Sequence, residues 1–262
     1  MPSTAVQVPL AGTREVINCP LCGGGVRLKY NEPGYAVGYE HMLDIDIDEH
    51  LPEIDKETAE YLREQRKGKK TVAIVGMSPT SCSLAPYNEP GVDIWGLNEE
   101  HAFDWFKNKD GWFQLHKPQS FRRHLAKRNV YGHYAWLKKK HSFPIYMQHK
   151  YPDVPASVEF PLHDIWEDCL SKVWRGKEKV RFCTSTAAFM VALAIHQKYE
   201  RIEIYGVDMS GNDEYIPQRD GMHFWMGIAI GRGIEIYVPG NNVLMMGRLY
   251  GYEDPDVHLP GE

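Results

Sequence analysis

From residue 71 onward the chain alternates short apolar runs with longer stretches of helical period. Thr71–Val75 is apolar after its first residue and is closed by Gly76. That is the pattern of a strand buried on both faces of a parallel sheet. Residues 92–95 (Val-Asp-Ile-Trp) and 112–115 (Trp-Phe-Gln-Leu) repeat it. Residues 143–146 (Phe-Pro-Ile-Tyr) do so with a proline that marks an edge candidate. Residues 184–199 are apolar at helical spacing, through Ala187, Ala188, Met190, Val191, Leu193, Ala194 and Ile195. Arg201–Tyr205 then reads as a strand ending in Gly206, residues 218–232 as a helix, and residues 234–238 as the last strand. Strands alternating with helices predict an α/β fold with a mainly parallel sheet flanked by helices.

The region before residue 69 has a different texture. Residues 1–18 are polar with two prolines and read as an extended arm. Cys19-Pro-Leu-Cys22-Gly-Gly-Gly followed by the alternating Val26-Arg-Leu-Lys-Tyr30 reads as a knuckle and a strand. Residues 55–67 carry Ile54, Thr58, Tyr61 and Leu62 on one side and charges elsewhere, a linker helix stopped by Gly68. The expected division is therefore 1–68, an N-terminal arm with a CxxC knuckle and linker helix, and 69–262, the main α/β domain.

Composition narrows the class. With 43% apolar and 25% charged residues the chain is an ordinary globular one, not a disordered or fibrous one. No run of about 18 apolar residues occurs, so no membrane helix is expected. Met1-Pro-Ser-Thr-Ala lacks the basic start and apolar stretch of a signal peptide. Five cysteines, three of them scattered singly (Cys82, Cys169, Cys183), suit a reducing cytoplasm better than a disulfide framework. The net charge of −5 hides an asymmetry. Residues 111–152 contain no Asp or Glu and nine cations: Lys117, Arg122, Arg123, Lys127, Arg128, Lys138, Lys139, Lys140 and Lys150. The rest of the chain carries −14, so this +9 insertion is a local electrostatic feature.

Parallel sheets bind ligands beyond the carboxyl ends of their strands. The first such end is Gly76-Met-Ser78-Pro-Thr80-Ser81, a glycine turn with hydroxyls and free N–H groups that suit a phosphate, or a tight strand-to-helix turn. It holds neither GxGxxG nor a Walker A lysine. The second is Gly96-Leu-Asn98, where Asn98 contacts a base or sugar, or caps a helix. The third is His116, a ligand group or general acid/base, or a plain surface histidine. Thr184, Ser185 and Thr186 open a helix, as an anion site or a simple cap. Gly206-Val-Asp208 puts a carboxylate where it can hold a ribose hydroxyl, a metal or a water. Tyr215, Arg219, Asp220 and His223 follow. Arg219 suits a phosphate, and Asp220 or His223 can accept a proton.

This order resembles the bacterial sialyltransferases that use CMP-activated sugar, and the pyrophosphokinase-like proteins of archaeal pterin synthesis. It is also similar to phage proteins carrying a G-V-D-M strand end, Tyr-x-x-Gln-Arg and G-R-G-I. The resemblance covers roughly residues 71–246. It implies a Rossmann-like nucleotide-binding domain over 69–262 handling a nucleotide-linked donor. In the sialyltransferases a G-x-G-P-S loop lies near the nucleotide phosphate. Gly76 and residues 78–81 fill that place, with Ser78 replacing the second glycine. Asn98 matches the family's asparagine after its second strand. Thr184, Ser185 and Thr186 match its T-S-G helix start without the glycine, and Gly206 and Asp208 match its G-I-D. Tyr215 matches its tyrosine–histidine loop loosely, because Gln218 and Arg219 stand where the histidine is expected.

Two features remain. Cys19 and Cys22 are half of a zinc knuckle, with His41 or His50 as further ligands, or else two free thiols in a turn. The basic insertion interleaves its cations with Trp112, Phe113, Phe121, Tyr131, Tyr134, Trp136, Phe143, Tyr146 and Tyr151. Cations track phosphates and aromatic faces stack on bases, so Arg122, Arg123, Lys127, Arg128, Lys138, Lys139 and Lys140 are candidates for a DNA or RNA acceptor. The alternative is an excursion whose aromatics are core. The expected function is a transferase using a nucleotide sugar, with His116, Asp220 and His223 as acid/base candidates. A phage-infected bacterial cell and DNA modification are the setting implied by the phage resemblance. The alternatives are a non-catalytic nucleotide-binding module and a metal-dependent pyrophosphoryl transferase or nucleotide hydrolase.

Overall fold

The computed structural model describes residues 51–103, 106, 108–122, 132–209, 215–240, 242, 244 and 245, and the backbone of 16–18, 25–30 and 36–41. The N-terminal strands β1 (Val16–Asn18), β2 (Gly25–Tyr30) and β3 (Ala36–His41) form an antiparallel sheet in that order. The strand expected at 26–30 is β2. Helix α1 (Lys56–Arg66) starts at Asp55, whose carboxylate accepts from the Thr58 N–H at 2.8 Å. That is a side-chain N-cap, and Gly68 with φ +73° follows the end.

The main body holds β4 (Thr71–Val75), β5 (Val92–Leu97), β6 (Gly111–Gln114), α2 (His133–Leu137), β7 (Ile145–Met147), β8 (Ser157–Glu159), α3 (Leu162–Ile165), the short ribbon β9 (Trp174–Arg175) and β10 (Glu178–Lys179), α4 (Thr186–His196), β11 (Arg201–Tyr205), α5 (Tyr215–Gly231) and β12 (Glu235–Tyr237). Seven strands pair in the order β12-β11-β4-β5-β6-β7-β8, every pair parallel. This is the Rossmann-like α/β sheet expected. The chain runs outward from β4 to β8, crosses back, and adds β11 and β12 on the other side of β4. The order therefore reverses between β4 and β11.

Alternation along β4 explains why it is apolar throughout. Val72 and Ile74 face a core built on α4 and α5 with Met190, Val191, Met222 and Trp225. Ala73 and Val75 face a second core with Cys82, Trp112, Phe121 and Leu137. Both faces are covered, as in a parallel sheet with helical crossovers. α4 is apolar all round and accordingly buried. Two elements differ from expectation. β7 is internal, because Pro144 precedes it and turns its carbonyl to the Trp112 N–H at 3.0 Å. The edge is β8, three residues with exposed Val158 and Glu159 and no apolar run to announce it. α5 begins at Tyr215, three residues earlier than its pattern predicts, because Pro217 is tolerated in a first turn. Among the described residues no helix is long and apolar enough to cross a membrane.

Candidate functional site

The strand order reverses between β4 and β11, and the loops beyond those two strands are locked together. The Gly76 N–H donates to the Tyr205 carbonyl at 2.8 Å and the Ser78 N–H to the Gly206 carbonyl at 2.9 Å, so the ladder runs past both strand ends. A Cβ on either glycine would collide with the other's carbonyl oxygen, and Gly206 has φ +60°. Only glycine suits both positions. Ser81 is fully buried, and its hydroxyl accepts from the Gly206 N–H at 2.8 Å.

Asp208 sits at the centre of this crossing and is buried. Its carboxylate accepts from the Ser78 hydroxyl at 2.5 Å and from the Thr80 hydroxyl at 2.8 and 3.0 Å. Ser78, Thr80, Ser81, Gly76, Gly206 and Asp208 thus form one cluster. The next residue, Met209, has φ +50°. Its carbonyl takes two donors from Arg219, Nε at 3.1 Å and Nη2 at 2.8 Å. A guanidinium has five N–H donors, and the other three have no acceptor among the described residues. Asn242 joins from the C-terminal loop, donating to the Val207 carbonyl at 3.3 Å.

The helix start behaves partly as a cap. The Ser185 hydroxyl accepts from the Ala188 N–H at 3.1 Å, and α4 proper begins at Thr186. The Thr184 hydroxyl donates to the Pro217 carbonyl at 2.6 Å and packs where a Cβ on Gly221 would stand. Thr184 therefore stitches α4 to the first turn of α5, which also carries Arg219.

On the other side of β4, the ends of β5 and β6 hold buried amides. Register pairs Leu97 with Phe113, so Asn98 and Gln114 follow side by side. Asn98 is 7% exposed and Gln114 0%. The Asn98 Oδ1 and both side-chain atoms of Gln114 are buried without a hydrogen-bond partner among the described residues. Leaving such a group bare costs about 1–3 kcal/mol, so each asks for an explanation. Asn98 is held firmly all the same. It has φ +52°, its N–H donates to the Phe113 carbonyl at 3.0 Å, and its carbonyl accepts from the Trp112 indole at 3.2 Å. Glu100 completes the turn, its carboxyl accepting from the Leu97 N–H at 2.9 Å. Burial drives the Glu100 carboxyl well above the ordinary carboxylate range; the Leu97 N–H opposes this and Glu99 adds to it. Burial, and then Glu100, likewise raises the Cys82 thiol.

His116 lies two residues beyond Gln114 on the same rim and is half-buried. Asp220 and His223 are exposed on α5, and the His223 ring hydrogen-bonds the Leu244 carbonyl at 2.6 Å. Tyr215 opens α5 against the core. Gln114 escaped the sequence reading, although a polar residue inside an otherwise apolar strand was a visible signal. Glu100 escaped it as well.

In the basic insertion some of the aromatics belong to the core and others are half-buried. Trp112, Phe113 and Phe121 are fully buried. Trp136 stacks on His101 at 4.2 Å between centroids, and His101 stacks on His133 with 3.0 Å between ring nitrogens. Burial, with Lys109 adding, pushes His101 down to about 4, so it is neutral at pH 7. Arg122 pairs with Asp153 at 2.7 Å and lies 4.5 Å over the Tyr151 ring. Lys138, Lys139 and Lys140 are exposed. Arg123, Lys127, Arg128 and Tyr131 lie outside the described residues. So do Cys19, Cys22 and His50, while His41 ends β3 with only its backbone described. Among the described residues no three His, Cys, Asp or Glu are placed to hold a metal.

No protein-family model matches the chain, and no curated protein matches it. Solved structures with a similar course are sialyltransferases of Campylobacter jejuni. CstII with cytidine-5'-monophosphate is 16% identical, at a TM-score of 0.37, over 64% of this chain and 79% of that one. CstII with a trisaccharide acceptor and CMP is 13% identical, at 0.38, over 64% and 80%. The apo alpha-2,3-sialyltransferase is 15% identical, at 0.38, over 66% and 76%. Likeness at this level says nothing about chemistry.

Proposed function

We propose that the protein is a transferase that binds a nucleotide-activated sugar along the carboxyl rim of β11, β4, β5 and β6. The observation that carries this reading is the buried Asn98 Oδ1 and Gln114 carboxamide, without partners among the described residues, at the very rim where parallel sheets take ligands. A ligand with both acceptors and donors, such as a base or a sugar, satisfies an amide oxygen and a whole carboxamide together. The donor phosphates are assigned to the 76–81 loop, the start of α4 and the spare donors of Arg219. Asp208 sets the shape of that loop through Ser78 and Thr80, and its remaining lone pair faces a ribose or sugar hydroxyl. His116, from its place beyond Gln114, is the base assigned to the acceptor hydroxyl, with Asp220 as the alternative on α5.

The step is a direct displacement at the anomeric carbon. The acceptor oxygen forms its bond to that carbon as the bond to the phosphate oxygen breaks. The base takes the hydroxyl proton, and the nucleotide departs as an anion stabilised by backbone N–H groups and Arg219. The test is release of free nucleotide from a panel of nucleotide sugars, with and without hydroxyl acceptors. Release that rises with one acceptor and falls at least a hundredfold in His116→Ala supports the reading. Tight binding with no release points to the non-catalytic nucleotide-binding module. Release that requires an added divalent metal points to pyrophosphoryl transfer or hydrolysis.

A further inference from the structure

Residues 172–181 contain Lys172, Arg175, Lys177, Lys179 and Arg181 against one acid, Glu178. All of these are exposed. β9 and β10 pair antiparallel, Trp174 opposite Lys179 and Arg175 opposite Glu178. The Val180 N–H donates to the Val173 carbonyl at 2.9 Å and extends the ribbon by one pair. Side chains alternate along each strand. Val173 and Val180 therefore share one face, half-buried, with Val173 packed on the α4–α5 core. Trp174 and Lys179 share the other face. Lys172 and Arg181 flank the base of the ribbon, one residue beyond the Val173–Val180 pair.

The outcome is an indole 58% exposed, paired across the ribbon with Lys179, on a segment that carries five exposed cations. Only Lys179 has an ion pair among the described residues, to Glu167 at 3.1 Å. Asp168, beside Glu167, is held by His196 and Arg232 at the carboxyl ends of α4 and α5, toward the amino ends of the strands.

We propose that this outer face binds single-stranded nucleic acid, with one base stacked on Trp174 and neighbouring phosphates on Lys172, Lys179 and Arg181. Every base offers a π-face to an indole, and cations follow the backbone. Cross-strand and diagonal neighbours stand about 5–8 Å apart, a spacing that suits a polymer with one charge per unit. A lipid interface is the poorer fit, because the ribbon's other apolar side chains face inward and a lone indole offers little apolar area. The proposal uses no residue of the rim and stands independently of the transferase reading.

The experiment is anisotropy of a fluorescein-labelled 12-nucleotide oligothymidylate titrated with the full chain at several salt concentrations. The expected result is saturable binding, with log K falling against log salt at a slope of about −2 for three phosphate contacts. Trp174→Ala weakens it roughly tenfold. Lys172→Ser with Arg181→Ser flattens the slope, and Lys138, Lys139 and Lys140→Ser together leave binding unchanged. Circular dichroism confirms that each variant is folded, as expected for changes at exposed positions. The proposal is overturned by absence of binding or by binding that Trp174→Ala leaves intact. Loss of binding in the Lys138–Lys140 variant instead, or stronger association with phosphatidylserine vesicles than with the oligonucleotide, also overturns it.

Discussion

Two buried polar groups on the same sheet are treated in opposite ways. On β11, Glu203 is 0% exposed and fully engaged. It accepts from Arg66 at 2.9 and 2.7 Å, from Arg201 at 2.7 Å and from the Tyr205 hydroxyl at 2.7 Å. Arg201 continues to Glu235 at 2.8 Å, tying α1, β11 and β12 together. At the ends of β5 and β6, Asn98 and Gln114 are also buried, and the Asn98 Oδ1 and the whole Gln114 carboxamide have no hydrogen-bond partner among the described residues. A fold that pairs every atom of a buried charge in one place and leaves neutral amides unpaired in another is solving two problems. The first cluster stabilises the fold. On the proposed reading, the second keeps hydrogen-bonding capacity in reserve for a ligand.

The largest effect separating the two is on stability. Glu203→Ala leaves Arg66 and Arg201 buried without their carboxylate and is expected to destabilise by about 3–5 kcal/mol, read as a lowered urea midpoint. Gln114→Leu removes two bare polar atoms. It is expected to leave that midpoint unchanged or raised by up to about 1 kcal/mol, while nucleotide-sugar affinity falls tenfold or more. A Gln114→Leu protein that unfolds as readily as Glu203→Ala would erase the distinction.

Acid and alkali sharpen it further. Burial alone would raise Glu203, but Arg66, Arg201 and Tyr205 outweigh it and hold the carboxyl below the ordinary range. Its contribution is present above the unfolded value, near 4.3, and is lost as pH falls through the lower folded value. Burial raises Glu100, so the unfolded state releases its proton first and stability declines as pH climbs above about 4.3. Urea midpoints followed from pH 3 to 9 should show Glu203→Gln losing the acid-side slope and Glu100→Gln losing the alkaline-side decline. The smallest effect is at the backbone. Asn98→Gly relieves the left-handed φ and is expected to change stability by under about 1 kcal/mol, yet to weaken ligand binding as Gln114→Leu does.

The sheet was legible because β4, β5 and β11 are covered on both faces and carry short runs dominated by Val, Ile, Trp and Tyr, each followed by a glycine. β8 and the β9–β10 ribbon were not, since each has only two or three residues and carries charge. Within the site, the positions after β4, β5 and β11 could be named from the strand-end rule. Their partners could not, because the hydroxyl on Asp208 comes from Ser78, 130 residues earlier. Gln114 lay in a run read for its apolar neighbours, and its burial without a partner is a fact of three dimensions. The aromatics of the basic insertion read equally well as stacking platforms or as core, and packing made Trp112, Phe113 and Phe121 core.

The account rests most directly on ligand binding at the rim, and isothermal titration of the protein with CMP-, UDP- and GDP-linked sugars measures it. One of them is expected to bind the wild-type chain with micromolar or tighter affinity, and to bind Gln114→Leu and Asn98→Gly at least tenfold more weakly while both variants remain folded. No binding by any of the three, or equal binding by the wild type and both variants, would contradict it.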